Sequence, residues 1–201
     1  MSQPKAICVY CGSGPGKNPA FVRAARDFGK VLADSGTELV YGGGSVGLMG
    51  ELAKSVLAHG GKVTGIIPDF LVEREHVLKD VQELIVTKDM HERKRIMFER
   101  SDAFVALPGG VGTLEELVEQ LTWSQLGRHK KPILAANIDH FWEPLCSLLN
   151  HMEALEFIRA GLSVKLLVAD KVEDILPRLR AALTPVPESE KEMQQVEPER
   201  M

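Results

Sequence analysis

Seven short runs of the chain are apolar at nearly every position: KAICVY (5–10), ELVYG (38–42), KVTGIIP (62–68), ELIVT (83–87), AFVALP (103–108), PILAA (132–136) and LLVA (166–169). Runs of this kind are what strands need when both faces are covered, as in a parallel sheet. Between them, amphipathic stretches predict helices near 19–34, 47–59, 90–100, 113–126, 142–153 and 171–183. The alternation predicts an α/β fold: a Rossmann-like, doubly wound parallel sheet with helices on both faces and its ligand at the C-terminal ends of the strands. The segment DFLVEREHVLKD (69–80) joins strand to strand with mixed charge and no clean period, and reads as a functional loop with a short helical turn. After Leu183 the stretch TPVPESEKEMQQVEPERM has little to bury, which predicts a disordered tail over 184–201 behind a single domain over 1–183.

Composition narrows the picture without changing it. A chain of 201 residues, 44% hydrophobic and 26% charged, suits one soluble domain. A net charge of −4 disfavours a nucleic-acid partner, which normally meets a basic surface. No apolar run has membrane-spanning length, and the N-terminus lacks a signal-peptide layout, so no membrane partner and a cytoplasmic location are expected. The three cysteines are too few for a disulfide framework. Cys8 and Cys11 form a C-x-x-C, but Gly12, Ser13, Gly14 and Pro15 follow where a redox pair would open a helix, and there is no second pair for zinc. Two thiols at the end of a buried strand is the favoured reading.

Three glycine-rich loops each follow a strand. CGSGPGKN (11–18) resembles a P-loop, but its glycine spacing is one residue short and Asn18 stands where Ser or Thr would bind magnesium. GGGSVGLMG (42–50) fits G-x-G-x-x-G at Gly42, Gly44 and Gly47, with the acidic Asp69 beyond. The fingerprint normally follows the first strand, however, and close strand–helix packing explains the glycines as well as binding does. In ALPGGVGTLEE (106–116), Gly109 and Gly110 leave a strand, and Gly112 and Thr113 open a helix. Unobstructed N–H groups there make an anion site, and Thr113 can cap the helix or reach a phosphate oxygen. A phosphorylated ligand is the economical explanation. In DMHERKR (89–95) three cations, Arg93, Lys94 and Arg95, begin a helix, where they oppose its dipole unless an anion is present. A solvated face paired with Glu92 and Glu99 is the alternative.

Taken together, PGGVGTLEE, MHERKR and YGGGSVGLMG resemble the Lonely Guy family of cytokinin-activating phosphoribohydrolases, over roughly Lys5 to Leu183. The family signature P-G-G-x-G-T-x-x-E matches residues 108–116 without a break, with Val111 at a position that is often tyrosine. The resemblance implies hydrolysis of the N-glycosidic bond of an adenosine 5′-monophosphate, N6-substituted or plain, to free base and ribose 5-phosphate. It implies Arg93 and Glu116 as the catalytic pair. Gly43, Gly44, Glu75, Met90, Lys94, Gly109, Gly110, Val111, Gly112, Thr113 and Thr122 would bind the nucleotide. It also implies a homodimer.

The residue types suit that chemistry. N-riboside cleavage passes through an oxocarbenium-like cation. Glu116 can stabilise it and position or activate water, while Arg93 can hold the phosphate or the departing purine. Such proteins have carried the label lysine decarboxylase, but no lysine here is set up as a pyridoxal Schiff base. No cofactor is expected. No metal is expected either, because His59, His76, His91, His129, His140 and His151 are scattered. Two other readings stay open: a purine nucleotide nucleosidase of different specificity, and a nucleotide or cofactor carrier that does not cleave its ligand.

At about 100° per residue, Leu114, Leu117, Val118 and Leu121 fall on one arc of the 113–126 helix and are expected to face the core. Glu116 then points almost opposite with Trp123 on its side, and a second subunit is expected to cover that face.

Overall fold

The computed structural model describes residues 3–72, 76–158 and 165–183. Glu75 and the tail over 184–201 lie outside the described residues. Seven strands follow the seven apolar runs: β1 (Ala6–Tyr10), β2 (Glu38–Tyr41), β3 (Val63–Pro68), β4 (Glu83–Thr87), β5 (Ala103–Ala106), β6 (Ile133–Ala136) and β7 (Leu166–Ala169). Six helices alternate with most of them: α1 (Pro19–Asp34), α2 (Gly47–Ala58), α3 (Met90–Glu99), α4 (Val111–Gln125), α5 (Glu143–Ala154) and α6 (Ile175–Ala182). The expected helix over 171–183 divides into a 3-10 turn, Val172–Asp174, and α6. The 69–80 segment carries its short turn at Asp69–Leu71.

All strand pairs are parallel, in the order β4-β3-β2-β1-β5-β6-β7. Continuous burial of β1, β3, β5 and β6 matches their apolar runs, whereas the edge strand β4 exposes Glu83, Leu84 and Val86. One core lies under α1, α2 and α6, around Phe28, Leu32, Leu52 and Leu179. The other lies under α3, α4 and α5, around Met97, Phe104, Leu117, Leu121 and Trp142. Asn18 starts α1 by accepting from Ala20 N–H at 2.9 Å, with Pro19 in the first turn. Among the described residues, no helix is long and apolar enough to cross a membrane.

The sheet order reverses at β1. From there the chain builds outward through β2, β3 and β4, then returns to β5 on the other side. Connections leaving β1 and β5 diverge at such a switch point and open a crevice above the strand ends. The first and third glycine loops both leave at that point.

Candidate active site

The first loop joins the other two. Gly12 N–H donates to Pro108 O at 3.1 Å, and Gly12 O accepts from Leu48 N–H and Met49 N–H at 3.0 and 3.4 Å. The first turn of α2 is therefore capped by protein backbone. Gly47 has φ +59, and a Cβ there would collide with the Ser13 backbone and lie 2.6 Å from Gly14 N. The close packing expected of this loop is therefore present at Gly47. Gly43 and Gly44 are buried. Gly43 O accepts from Leu78 N–H at 3.1 Å, and Gly44 bridges antiparallel to Val77, so the far end of the 69–80 segment is pinned across this loop.

The third loop differs. Its N-cap is Gly110, which offers no side chain to the helix, and the first N–H groups of any helix lack intrahelical acceptors. Val111 is 82% exposed. A Cβ on Gly110 or Gly112 would meet nothing within 4 Å, and neither residue has a positive φ. Nothing in the fold requires glycine at these two positions; close approach by a ligand would. Gly109 is the opposite case: a Cβ there would lie 2.6 Å from Thr113 Cβ and 2.9 Å from Gly12 N. Gly109→Ala should therefore disturb the loop itself, at about 1–3 kcal/mol, or roughly 2–4 °C in Tm per kcal/mol. Gly110→Ala should leave Tm unchanged and lower kcat/KM by on the order of tenfold. Thermal melts beside kinetics check both.

The three cations of α3 have three different fates. Arg95 is exposed and pairs with Glu99 at 3.1 Å and Glu92 at 3.9 Å, the solvated arrangement. Lys94 reaches across to α4, where Glu115 and Glu119 each hold it at 2.8 Å. Burial pulls its ammonium down, but the two carboxylates outweigh this and hold it above the ordinary lysine value. Arg93 turns inward and is 6% exposed. Its Nε donates to Ile66 O at 3.1 Å, its Nη2 to Gly42 O at 3.3 Å, and its Nη1 lies 3.7 Å from Met90 Sδ. A Cβ on Gly42 would collide with this guanidinium. A buried charge needs hydrogen-bond partners or a counter-ion, and these two carbonyls supply partners from β3 and from the residue after β2.

Glu116 is half-buried on α4. It and Arg93 act on a common neighbour, Cys8 of β1. Burial, first of all, pushes the Cys8 thiol well above the ordinary range, and among the lesser effects Glu116 adds to the rise while Arg93 opposes it. Burial likewise raises Cys11 and Tyr10, with Glu116 contributing to both. Arg93 and Glu116 are thus both within electrostatic reach of Cys8 in β1, and Glu116 stands on the helix that the third loop opens. Burial of this kind disfavours the thiolate, the form that reacts and binds metal.

The expected face of α4 needs correction. Thr113, Leu117, Gln120 and Leu121 are the buried residues, while Leu114 and Val118 are 38% and 40% exposed. Glu116 therefore flanks the core side instead of opposing it. Trp123 packs edge-on against Phe98 of α3 at 5.3 Å, with Arg128 over its ring at 4.9 Å, so α3 covers the face assigned to a second subunit. Thr122 is exposed on the outer face and bonds Val118 O at 2.8 Å, so one chain does not bring it to Arg93 and Glu116. The carboxylate clamp on Lys94 was missed because its partners stand in another element. A groove of about 600 Å³ lined by Lys5, Glu38 and Lys62 lies at the opposite, N-terminal edge of the sheet.

A family model described as "Possible lysine decarboxylase" matches residues 49–179. A rice protein (Oryza sativa subsp. japonica) named "Probable cytokinin riboside 5'-monophosphate phosphoribohydrolase LOGL1" is 46% identical over 173 residues, covering 86% of this chain and 78% of its own. The cytokinin riboside 5'-monophosphate phosphoribohydrolase of Rhodococcoides fascians is 42% identical over 179 residues, covering 89% and 90%. Among solved structures, the molybdenum cofactor binding protein of Rippkaea orientalis superposes with a TM-score of 0.68 at 25% identity, covering 92% of this chain and 99% of that one.

Proposed function

The chain belongs to the Lonely Guy family of cytokinin riboside 5′-monophosphate phosphoribohydrolases, whose family model is described as possible lysine decarboxylase, and on that premise we propose that it hydrolyses N6-substituted adenosine 5′-monophosphates. Water adds to C1′ of the ribose as the C1′–N bond to the base breaks. The base leaves with the bonding pair and takes up a proton, and ribose 5-phosphate remains. The observation that supports this reading is that buried Arg93 and half-buried Glu116 share Cys8 as an electrostatic neighbour, with Glu116 in the helix whose N-terminus is capped by glycine.

In this scheme the phosphate sits on the N–H groups of Gly110 to Thr113, where the α4 dipole favours negative charge. Glu116 faces the developing ribosyl cation and takes the proton of the attacking water. Arg93, fixed by Ile66 O and Gly42 O, donates its remaining N–H groups to phosphate or departing base. Met90 lies against Arg93, and the backbone of Gly43 and Gly44, next to Gly42, is assigned to nucleotide binding from the motif match. Lys94 acts by locking α3 to α4 through Glu115 and Glu119. Glu75 is assigned to binding from the motif match alone. The free thiols of Cys8, Cys11 and Cys146 suit a cytoplasmic location.

A second copy completes the site. Val111, Leu114, Val118 and the following Leu126 form an apolar outer stripe, 82%, 38%, 40% and 75% exposed. A partner seated there would cover Thr122 and the rim of the third loop. Val118→Asp is therefore expected to shift the protein from dimer to monomer in light scattering. A wild type that is already a monomer, with full activity, would remove the dimer.

The 5′-phosphate should be required. Binding energy gathered remote from the reacting bond supports catalysis, so N6-isopentenyl-AMP and AMP should be cleaved at least about 10²-fold faster, by kcat/KM, than the corresponding nucleosides. Equal rates would refute the phosphate site. The solved neighbours that carry molybdenum cofactor suggest the second reading, a carrier. It predicts nucleotide binding with no free base at any time.

A further inference from the structure

We propose that Gln120 is a positioning residue: its side-chain amide and the inward oxygen of Glu119 hold an ordered water that fixes the Glu116 carboxylate. This rests on the catalytic reading of Glu116.

Residues i, i+3, i+4 and i+7 share one face of a helix, and Glu116, Glu119, Gln120 and Trp123 stand in that relation along α4. The stripe runs down from the strand ends between α3 and the sheet. Trp123 closes its lower end against Phe98 at 5.3 Å. Gln120 is 0% exposed, and among the described residues neither its Nε2 nor its Oε1 has a hydrogen-bond partner. The adjacent Glu119 is fastened through Oε1 to Lys94 at 2.8 Å, while its Oε2 is buried without a partner.

The backbone beneath is fixed as well. His129 Nδ1 accepts from Lys131 N–H at 3.1 Å, so its Nε2 carries the proton and donates to Gln120 O at 3.2 Å. On the sheet side Tyr10 is stacked with Phe104 at 6.1 Å, and its phenol feels both Glu116 and Glu119. The amide therefore cannot leave the seam to find solvent.

Buried polar groups left dry forfeit their hydration without return. Buried waters sit where about two to four such groups converge. Gln120 and Glu119 bring a buried unpartnered donor and two buried unpartnered acceptors to either side of the line of Glu116, one turn along the helix. Glu116 lies one turn away, with Cβ atoms about 5–6 Å apart at this spacing, a gap that one water bridges. The proposed reaction needs one carboxylate in one orientation beside the sugar. A water anchored by Gln120 supplies that orientation from behind.

The test compares wild type, Gln120→Leu and Glu116→Gln in kinetics and melts, with a high-resolution crystal structure of the unliganded wild type. Gln120→Leu is expected to lower kcat by on the order of tenfold, with KM changed by less than about twofold and Tm unchanged or raised. The crystal structure should show a water bonded to both Gln120 and Glu119. If leucine prevents folding, Gln120→Met carries the same comparison. An active wild type and an inactive Glu116→Gln, beside Gln120→Leu with unchanged kcat, would overturn this inference alone. So would a dry seam. A fully active Glu116→Gln would overturn the reading on which it rests.

Discussion

Glu116→Gln is expected to abolish turnover while leaving the protein folded and able to bind nucleotide. The amide keeps the shape of the side chain but can neither take a proton from water nor offset the charge of the ribosyl cation. Losing a general base of this kind lowers kcat by about 10²–10⁴-fold. The neighbouring carboxylate is the internal control. Glu115 is more exposed and serves as one of two clamps on Lys94, with Glu119 as the other. An exposed pair of this sort contributes no more than about 1 kcal/mol, so Glu115→Gln should keep most of its turnover. Kinetics, thermal melts and nucleotide binding on the two variants check this. Comparable activity in both would remove the catalytic assignment.

Replacement of Arg93 should cost both stability and rate, which sets it apart from Glu116. Its guanidinium satisfies the carbonyls of Ile66 within β3 and of Gly42 just after β2. Arg93→Ala leaves two buried acceptors and a cavity, each lost partner costing about 1–3 kcal/mol. Arg93→Lys restores the charge, but a single ammonium cannot reproduce a planar fork that reaches two carbonyls and a ligand together. The lysine variant should therefore recover much of the Tm lost in the alanine variant. Its kcat should stay lower than wild type by about 10²-fold, the scale for losing one aimed donor. A lysine variant with wild-type kcat would make Arg93 purely structural.

The fold was legible because its strands are buried on both faces. Ile7, Val9, Phe104 and Val105 announce a covered parallel strand without any tertiary information. The third loop was legible for a similar reason, since glycine and threonine at a strand-to-helix turn have a local meaning. Two features were not. The second glycine loop offered the same local signal, but whether its helix N-terminus is open depends on Gly12, a residue of another loop. The inward face of α4 was misread because its buried positions include polar Thr113 and Gln120, while apolar Leu114 and Val118 face outward. Hydrophobic periodicity assumes that apolar residues face the core, and it fails where a helix borders a proposed site on one side and a proposed partner on the other.

The central claim is cleavage of the N-glycosidic bond, and the most direct measurement is chromatography of the products formed from N6-isopentenyl-AMP. Free N6-isopentenyladenine and ribose 5-phosphate should appear in equal amounts, with neither nucleoside nor inorganic phosphate. Nucleotide recovered intact from a protein that binds it, or nucleoside released together with phosphate, would contradict the account.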